Sequence, residues 1–258
     1  MLRPTSSSTR LVLAWCLVVP ACAHVTPAGP AVVPGLDVRL AHTSGPDTIV
    51  YQRSVTRSGQ DSSAGTRTVV LRVIAAPGTT RLLEVEQRFP GGGGEIVDTA
   101  LAELQTLRAV AHQSHQPARI MRFTFPGDDA EGTVASLGGA RDSVTPVRQP
   151  LGGPIFDSNV IELIVAALPL RDGFTAELPF FIYEGGGRVA MPVAVRERAT
   201  VAFPALGPRE VWVVSVGVPG APATVWVDTR THAVLRVRYD ISARAMSFTD
   251  DRVTPLHG

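Results

Sequence analysis

The sequence predicts a mostly β protein: a curved antiparallel sheet, a half-barrel or open barrel, wrapped around one buried apolar helix at about residues 157–168. Three observations carry this expectation. Runs rich in Val, Leu and Ile alternate with period two and are bounded by Gly, Pro, Ser or Asp clusters, the pattern of antiparallel strands with one dry face. Only one stretch, Phe156-Asp157-Ser158-Asn159 leading into 160–168 and then Pro169, has helical start and stop signals, with Asp157, Ser158 or Asn159 as the N-cap. Between Val160 and Leu168 only Glu162 is polar, and a helix apolar all round must be covered on all sides.

Residues 1–21 read as an export signal. Arg3 and Arg10 precede an apolar run over 11–19, which is too short for a bilayer core of about 30 Å. Val19-Pro20-Ala21-Cys22 resembles the lipobox of bacterial lipoproteins, apart from its proline, and implies lipidation at Cys22. Ala21-Cys22-Ala23 offers the rival, an ordinary A-x-A cleavage. The first reading gives a periplasmic protein anchored to a membrane, the outer membrane being the expected one. The second gives a soluble secreted protein. Cys16 lies inside the signal, so no internal disulfide, cysteine nucleophile or thiolate metal site is expected.

All 24 basic residues are arginine; without Arg3 and Arg10 the rest stand against 23 acidic residues, a balance of −1. That is no footprint for nucleic acid, and the absence of lysine excludes Schiff-base chemistry and the lysine of a phosphate loop.

Residues 22–47, with Pro27, Pro30, Pro34 and Pro46, read as a flexible tether. A single β domain is expected over 48–249, with 250–258 as a loose tail. Strand patterns cover 49–55, 67–75 and 80–89; in the last, Leu83 and Val85 face one way and Glu84, Glu86 and Arg88 the other. Gly91 to Gly94 form a hairpin loop. Glu103 with Thr106, and Asp228 with Thr231, repeat one spacing between β-patterned runs, as tight turns fixed by side chains, and hint at two similar halves. Residues 118–125 and 131–137 continue the pattern, 138–154 are turn-rich, and strands resume at 174–183, 188–201, 210–216, 223–227 and 233–241. Pro179 and Pro192 lie inside such runs, so edges or bulges are expected there. In the final run Leu235, Val237, Tyr239 and Ile241 are predicted to share a face. About a dozen strands result.

Linear sequence offers little chemistry. His112 and His115 are three apart on a strand and point to opposite faces, so they read as solvated surface residues and not as a metal pair. Asp98-Thr99, Asp157-Ser158 and Asp228-Thr229 lack the glycine of aspartic protease loops, and Asp157 reads as a cap. No G-x-S-x-G elbow or H-E-x-x-H occurs. Trp212 and Trp226, on flanking strands, are candidates for a pocket or a sugar platform but fit sheet packing better. No catalytic residue, metal site or cofactor is expected, and the chain does not read as an enzyme.

The lipobox-like signal, the Phe156-Asp157-Ser158-Asn159 helix ending in Ala167-Leu168-Pro169-Leu170, and the hairpin from Val225-Trp226-Val227-Asp228 to Val234-Leu235-Arg236-Val237 together resemble an uncharacterised family of bacterial envelope β proteins. More distantly, the architecture is similar to the half-barrel of the LolA/LolB lipoprotein carriers, which shelter acyl chains on an apolar concave face. The resemblance contributes fold analogy alone; the fully apolar helix in an otherwise all-β exported domain points to an envelope protein that binds a lipid or other apolar or amphiphilic molecule on the concave face, with Val160, Ile161, Leu163, Ile164 and Leu168 lining the pocket or the core. The alternative is a structural or partner-docking lipoprotein with a fully packed core. The expected partners are the membrane, through its anchor, and that ligand; no protein partner is specified.

Overall fold

Hairpins built from the alternating runs join into a single sheet. The computed structural model describes residues 29–33, 47–76, 81–91, 93–138, 143–183 and 187–256. The first eight strands are β1 (Asp47–Arg57), β2 (Gln60–Ala75), β3 (Arg81–Gly91), β4 (Gly94–Glu103), β5 (Ala109–Gln116), β6 (Arg119–Thr124), β7 (Asp129–Ser136) and β8 (Ser143–Pro150). A short β9 (Phe156–Asp157), a 3₁₀ turn (Ser158–Val160) and helix α1 (Ile161–Ala167) follow. Then come β10 (Thr175–Ile182), β11 (Gly187–Phe203), β12 (Gly207–Val216), β13 (Ala223–Asp228), β14 (Val234–Ile241) and β15 (Met246–Arg252).

The strand order is 8-7-6-5-4-3-2-1-15-14-13-12-11-10-9, so two meanders are joined where β1 pairs with β15. Neighbours are antiparallel except β9 and β10. The hairpin pattern breaks in one place: the chain crosses from β8 at one edge to β9 at the other and then runs through α1 into β10. That crossing is what places the helix inside the curl. The sheet stays open, but its walls touch across the hollow through Phe123 and Phe125 against Phe181, with ring centroids 5.3 and 5.4 Å apart. The edges are protected against further pairing. β8 carries Pro146 and Pro150, β9 is two residues long, and residues 29–33 lie along β10, with Val32 N–H donating to the Glu177 carbonyl at 2.8 Å.

The helix is shorter than its apolar run. Asp157 caps the 3₁₀ turn, its Oδ1 accepting from the Asn159 N–H at 2.8 Å, while Phe156 and Asp157 are drawn into strand pairing with β10. Leu168 is extended and Pro169 ends the segment. Seven residues are too few for a helix to persist alone. Val160, Ile161, Ile164, Val165 and Leu168 are buried in the main core with Val85, Val214 and Val237, and each such side chain contributes about 1.5–3 kcal/mol. Tertiary burial therefore holds the helix.

The repeated turn is real. Thr106 donates to Glu103 and its Oγ1 accepts from Arg108 N–H; Asp228 Oδ1 accepts from Arg230 and Thr231 N–H, and Thr231 Oγ1 from Ala233 N–H. Leu107 and His232 occupy the same place in the two turns, both with positive φ (56° and 55°). Each hairpin also carries a bulge, at Leu101/Ala102 and at Trp226/Val227. The outcomes differ: Leu107 fills the core, whereas His232 Nδ1 lies 3.0 Å from the Ala166 carbonyl and so donates to one of the orphan carbonyls at the end of α1.

Four local expectations are corrected. Among the described residues fifteen strands form, where about a dozen were expected. The β13/β14 bulge turns Leu235 onto the convex face, with Phe203, Val211 and Val213, while Val237 faces the core. Residues 250–252, assigned to a loose tail, complete β15, and beyond them Val253 N–H donates to the Val50 carbonyl at 2.8 Å and Leu256 packs on the convex cluster. Within the expected tether, residues 29–33 dock on β10; the export signal and Cys22 lie outside the described residues.

Candidate functional site

Glu162 is the one polar residue on the helix, and the fold is arranged to receive it. On the concave face, Arg67, Tyr51 and Arg252 stand directly opposite one another across β2, β1 and β15, with Arg53 opposite Asp250 two residues further along β1. All five are buried, and Glu162 enters from α1 to meet them. Arg67 grips Glu162 with both prongs, Nη1 to Oε1 at 2.7 Å and Nη2 to Oε2 at 2.6 Å, and reaches Asp250 Oδ2 at 3.1 Å. Arg53 forms a second fork on Asp250, at 2.7 Å on each oxygen. The Tyr239 hydroxyl donates to Glu162 Oε1 at 3.1 Å.

Taking these charges out of water costs several kcal/mol per ion, so the cluster is tolerated only because each carboxylate is matched by forked, charge-assisted bonds. Burial opposes ionisation of Asp250, but the Arg53 hydrogen bonds and the Arg67 charge outweigh it and hold the carboxyl below its usual range. Burial likewise works against the Arg67 charge, and Glu162 reverses that effect, so Arg67 stays cationic. Burial first, and then the Glu162 charge, push the Tyr51 and Tyr239 hydroxyls well above their usual range, so both remain protonated donors.

Between this cluster and α1 lies a cavity of about 80 Å³. Ile49, Val69, Val85 and Leu163 line its apolar side, and the row of Arg67, Tyr51 and Arg252 its polar side. Among the helix residues singled out from sequence, Leu163 is half-buried and borders the cavity, while Val160, Ile161, Ile164 and Leu168 are in the core.

A second buried polar group lies on the other side of the helical segment. Asp157 Oδ2 accepts from the Tyr183 hydroxyl at 2.7 Å and meets His112 Nδ1 at 3.1 Å, and His112 stacks on Tyr183 with centroids 3.9 Å apart. The expectation of a solvated His112 is therefore corrected: it is 3% exposed, on the inward face of β5, while His115 points out. The cap role predicted for Asp157 holds for Oδ1, but Oδ2 was not foreseen. The trio clamps the start of the helical segment to β5 and β10.

Trp212 and Trp226 form no joint platform. Trp212 stands opposite Val227 beside the main core, and Trp226 stands opposite Val213 on the convex face under Arg236. Among the described residues, no group of three His, Cys, Asp or Glu side chains is placed to hold a metal ion, and no helix is long and apolar enough to cross a membrane.

Sequence reasoning missed the arginine row and its partners. One signal was available: a lone glutamate on a helix that must be fully buried requires a buried cation.

Fold and site define a class: an open, curled β sheet closed around a helix, with a charged, cavity-bearing face. The chain belongs to the DUF3108 family of proteins of unknown function, whose sequence profile matches residues 53–249. It is similar to the crystal structure of a β-barrel-like protein of the domain of unknown function DUF1849 from Brucella abortus, at 11% identity and a TM-score of 0.48, over 84% of this chain and 98% of that one. A DUF1329 family protein from Desulfovibrio piger is similar at 10% identity and a TM-score of 0.31, over 81% and 84% of the two chains. No curated protein matches the sequence.

Proposed function

We propose that this protein is a non-enzymatic binding module of the cell envelope, tethered through a lipid on Cys22, that takes an amphiphilic molecule at the concave face beside α1. The observation that supports this reading most is the cavity of about 80 Å³, apolar toward Leu163 and Val85 and polar toward Tyr51 and Arg252. A buried space with one oily and one charged wall suits a guest of the same two-sided chemistry. The likeness to half-barrel lipoprotein carriers contributes fold analogy only.

The test is native mass spectrometry of protein purified without detergent. A small molecule that is released on denaturation is expected; polypeptide mass alone in every preparation would contradict binding. For the anchor, Cys22→Ser is expected to move the protein from the membrane fraction to the soluble one, and an unchanged distribution would contradict it.

A second reading, a structural or partner-docking lipoprotein, is favoured by one observation: Val160, Ile161, Ile164 and Leu168 are buried in the main core. Leu163→Trp, which would fill the remaining space, separates the two. It abolishes small-molecule binding under the first reading and leaves envelope crosslinks intact under the second.

A further inference from the structure

Around the cavity every carboxylate is engaged. Both Glu162 oxygens are held by Arg67, and both Asp250 oxygens by Arg53. Three donor groups at its wall have no carboxylate partner among the described residues. The Tyr51 hydroxyl, on a side chain 2% exposed, has no hydrogen-bond partner among the described residues. Asn159 also lines the cavity, and its Nδ2 is buried with no acceptor. Arg252, 5% exposed, spends its guanidinium on two backbone carbonyls, Nε to Thr254 and Nη2 to Pro255, both at 3.2 Å, and faces no carboxylate among the described residues. The buried set thus holds three guanidinium groups, those of Arg53, Arg67 and Arg252, against two carboxylates.

Resting on the binding reading above, we infer that the cavity recognises a monocarboxylate: the guest's carboxylate meets Tyr51 and Arg252, and its alkyl stem lies against Val85 and Leu163. Tyr51 and Arg252 are direct cross-strand partners, so their side chains start about 5 Å apart and reach one guest. A water needs about 10–15 Å³ of such space, so 80 Å³ holds a carboxylate with a short stem. A free short-chain acid and the head of a long-chain fatty acid share this chemistry.

The experiment is calorimetric titration of the full chain near neutral pH with hexanoate, hexanamide and 1-hexanol. Hexanoate is expected to bind about tenfold or more tighter than hexanamide, the scale of one charge-assisted hydrogen bond. Arg252→Gln is expected to weaken hexanoate about tenfold and Tyr51→Phe about fivefold, while Tyr183→Phe leaves it unchanged. Equal binding of hexanoate and hexanamide overturns the inference, as does indifference to Tyr51→Phe; both hold even if Arg252→Gln fails to fold. Binding of 1-hexanol without hexanoate leaves the binding module standing and removes the carboxylate. Binding of neither removes both. A further arm with dodecanoate separates the two sources: tighter binding than hexanoate identifies a fatty-acid head, and equal or weaker binding a short acid.

Discussion

Asp157 and Glu162 both tie the helical segment into the sheet, but they do so in different ways. Asp157 is held by a tyrosine, an imidazole and a backbone amide among packed rings. Glu162 is held by a guanidinium that is shared with a second carboxylate, beside a cavity with donors to spare. The first arrangement acts as a clamp. The second holds three guanidinium groups against two carboxylates, and it is at this surplus that the proposed guest would sit.

The largest effect is expected on the charged side. Arg67→Met strands the buried Glu162 carboxylate, while Asp250 keeps the Arg53 fork, and is expected to destabilise by about 3–5 kcal/mol in urea unfolding. Tyr183→Phe, on the clamp, removes one hydrogen bond and is expected to lose about 1–2 kcal/mol. If the order of these two is reversed, the account of which cluster holds the helix fails. Within the helix, Ile164→Ala should cost about 2–5 kcal/mol, as for a core cavity, and Leu163→Ala clearly less, because Leu163 already borders open space.

Acid tests the charged cluster directly. The Asp250 carboxyl is depressed below its unfolded value of 3.8, so its contribution is fully present above that value and is lost as pH falls through the lower folded pKa. Wild-type stability is expected to drop below about pH 4, and Asp250→Asn, less stable at neutral pH, is expected to lose less over that window. Equal acid slopes in urea-denaturation series would contradict the assignment.

Much of the sheet was legible because period-two alternation reports on neighbours along one strand. Leu83 and Val85 in β3 face the core as their alternation requires, and the paired Glu103/Thr106 and Asp228/Thr231 turns are local chemistry. What sequence could not supply is long-range. Nothing near Glu162 announces Arg67, which lies 95 positions away. His112 looks solvated until the crossing from β8 to β9 brings Asp157 over it. Leu235 is misplaced because a bulge, invisible in the pattern, shifts the face by one residue.

The chain has three tyrosines, Tyr51, Tyr183 and Tyr239: Tyr51 and Tyr239 belong to the charged cluster and Tyr183 to the clamp. Protein labelled with ¹³Cζ-tyrosine should therefore give three signals that report on both sites in one spectrum. On titration with hexanoate the Tyr51 signal is expected to move most and the Tyr183 signal to stay. Movement of Tyr183 with Tyr51 unchanged, or three unmoved signals, would contradict a binding site at the charged face.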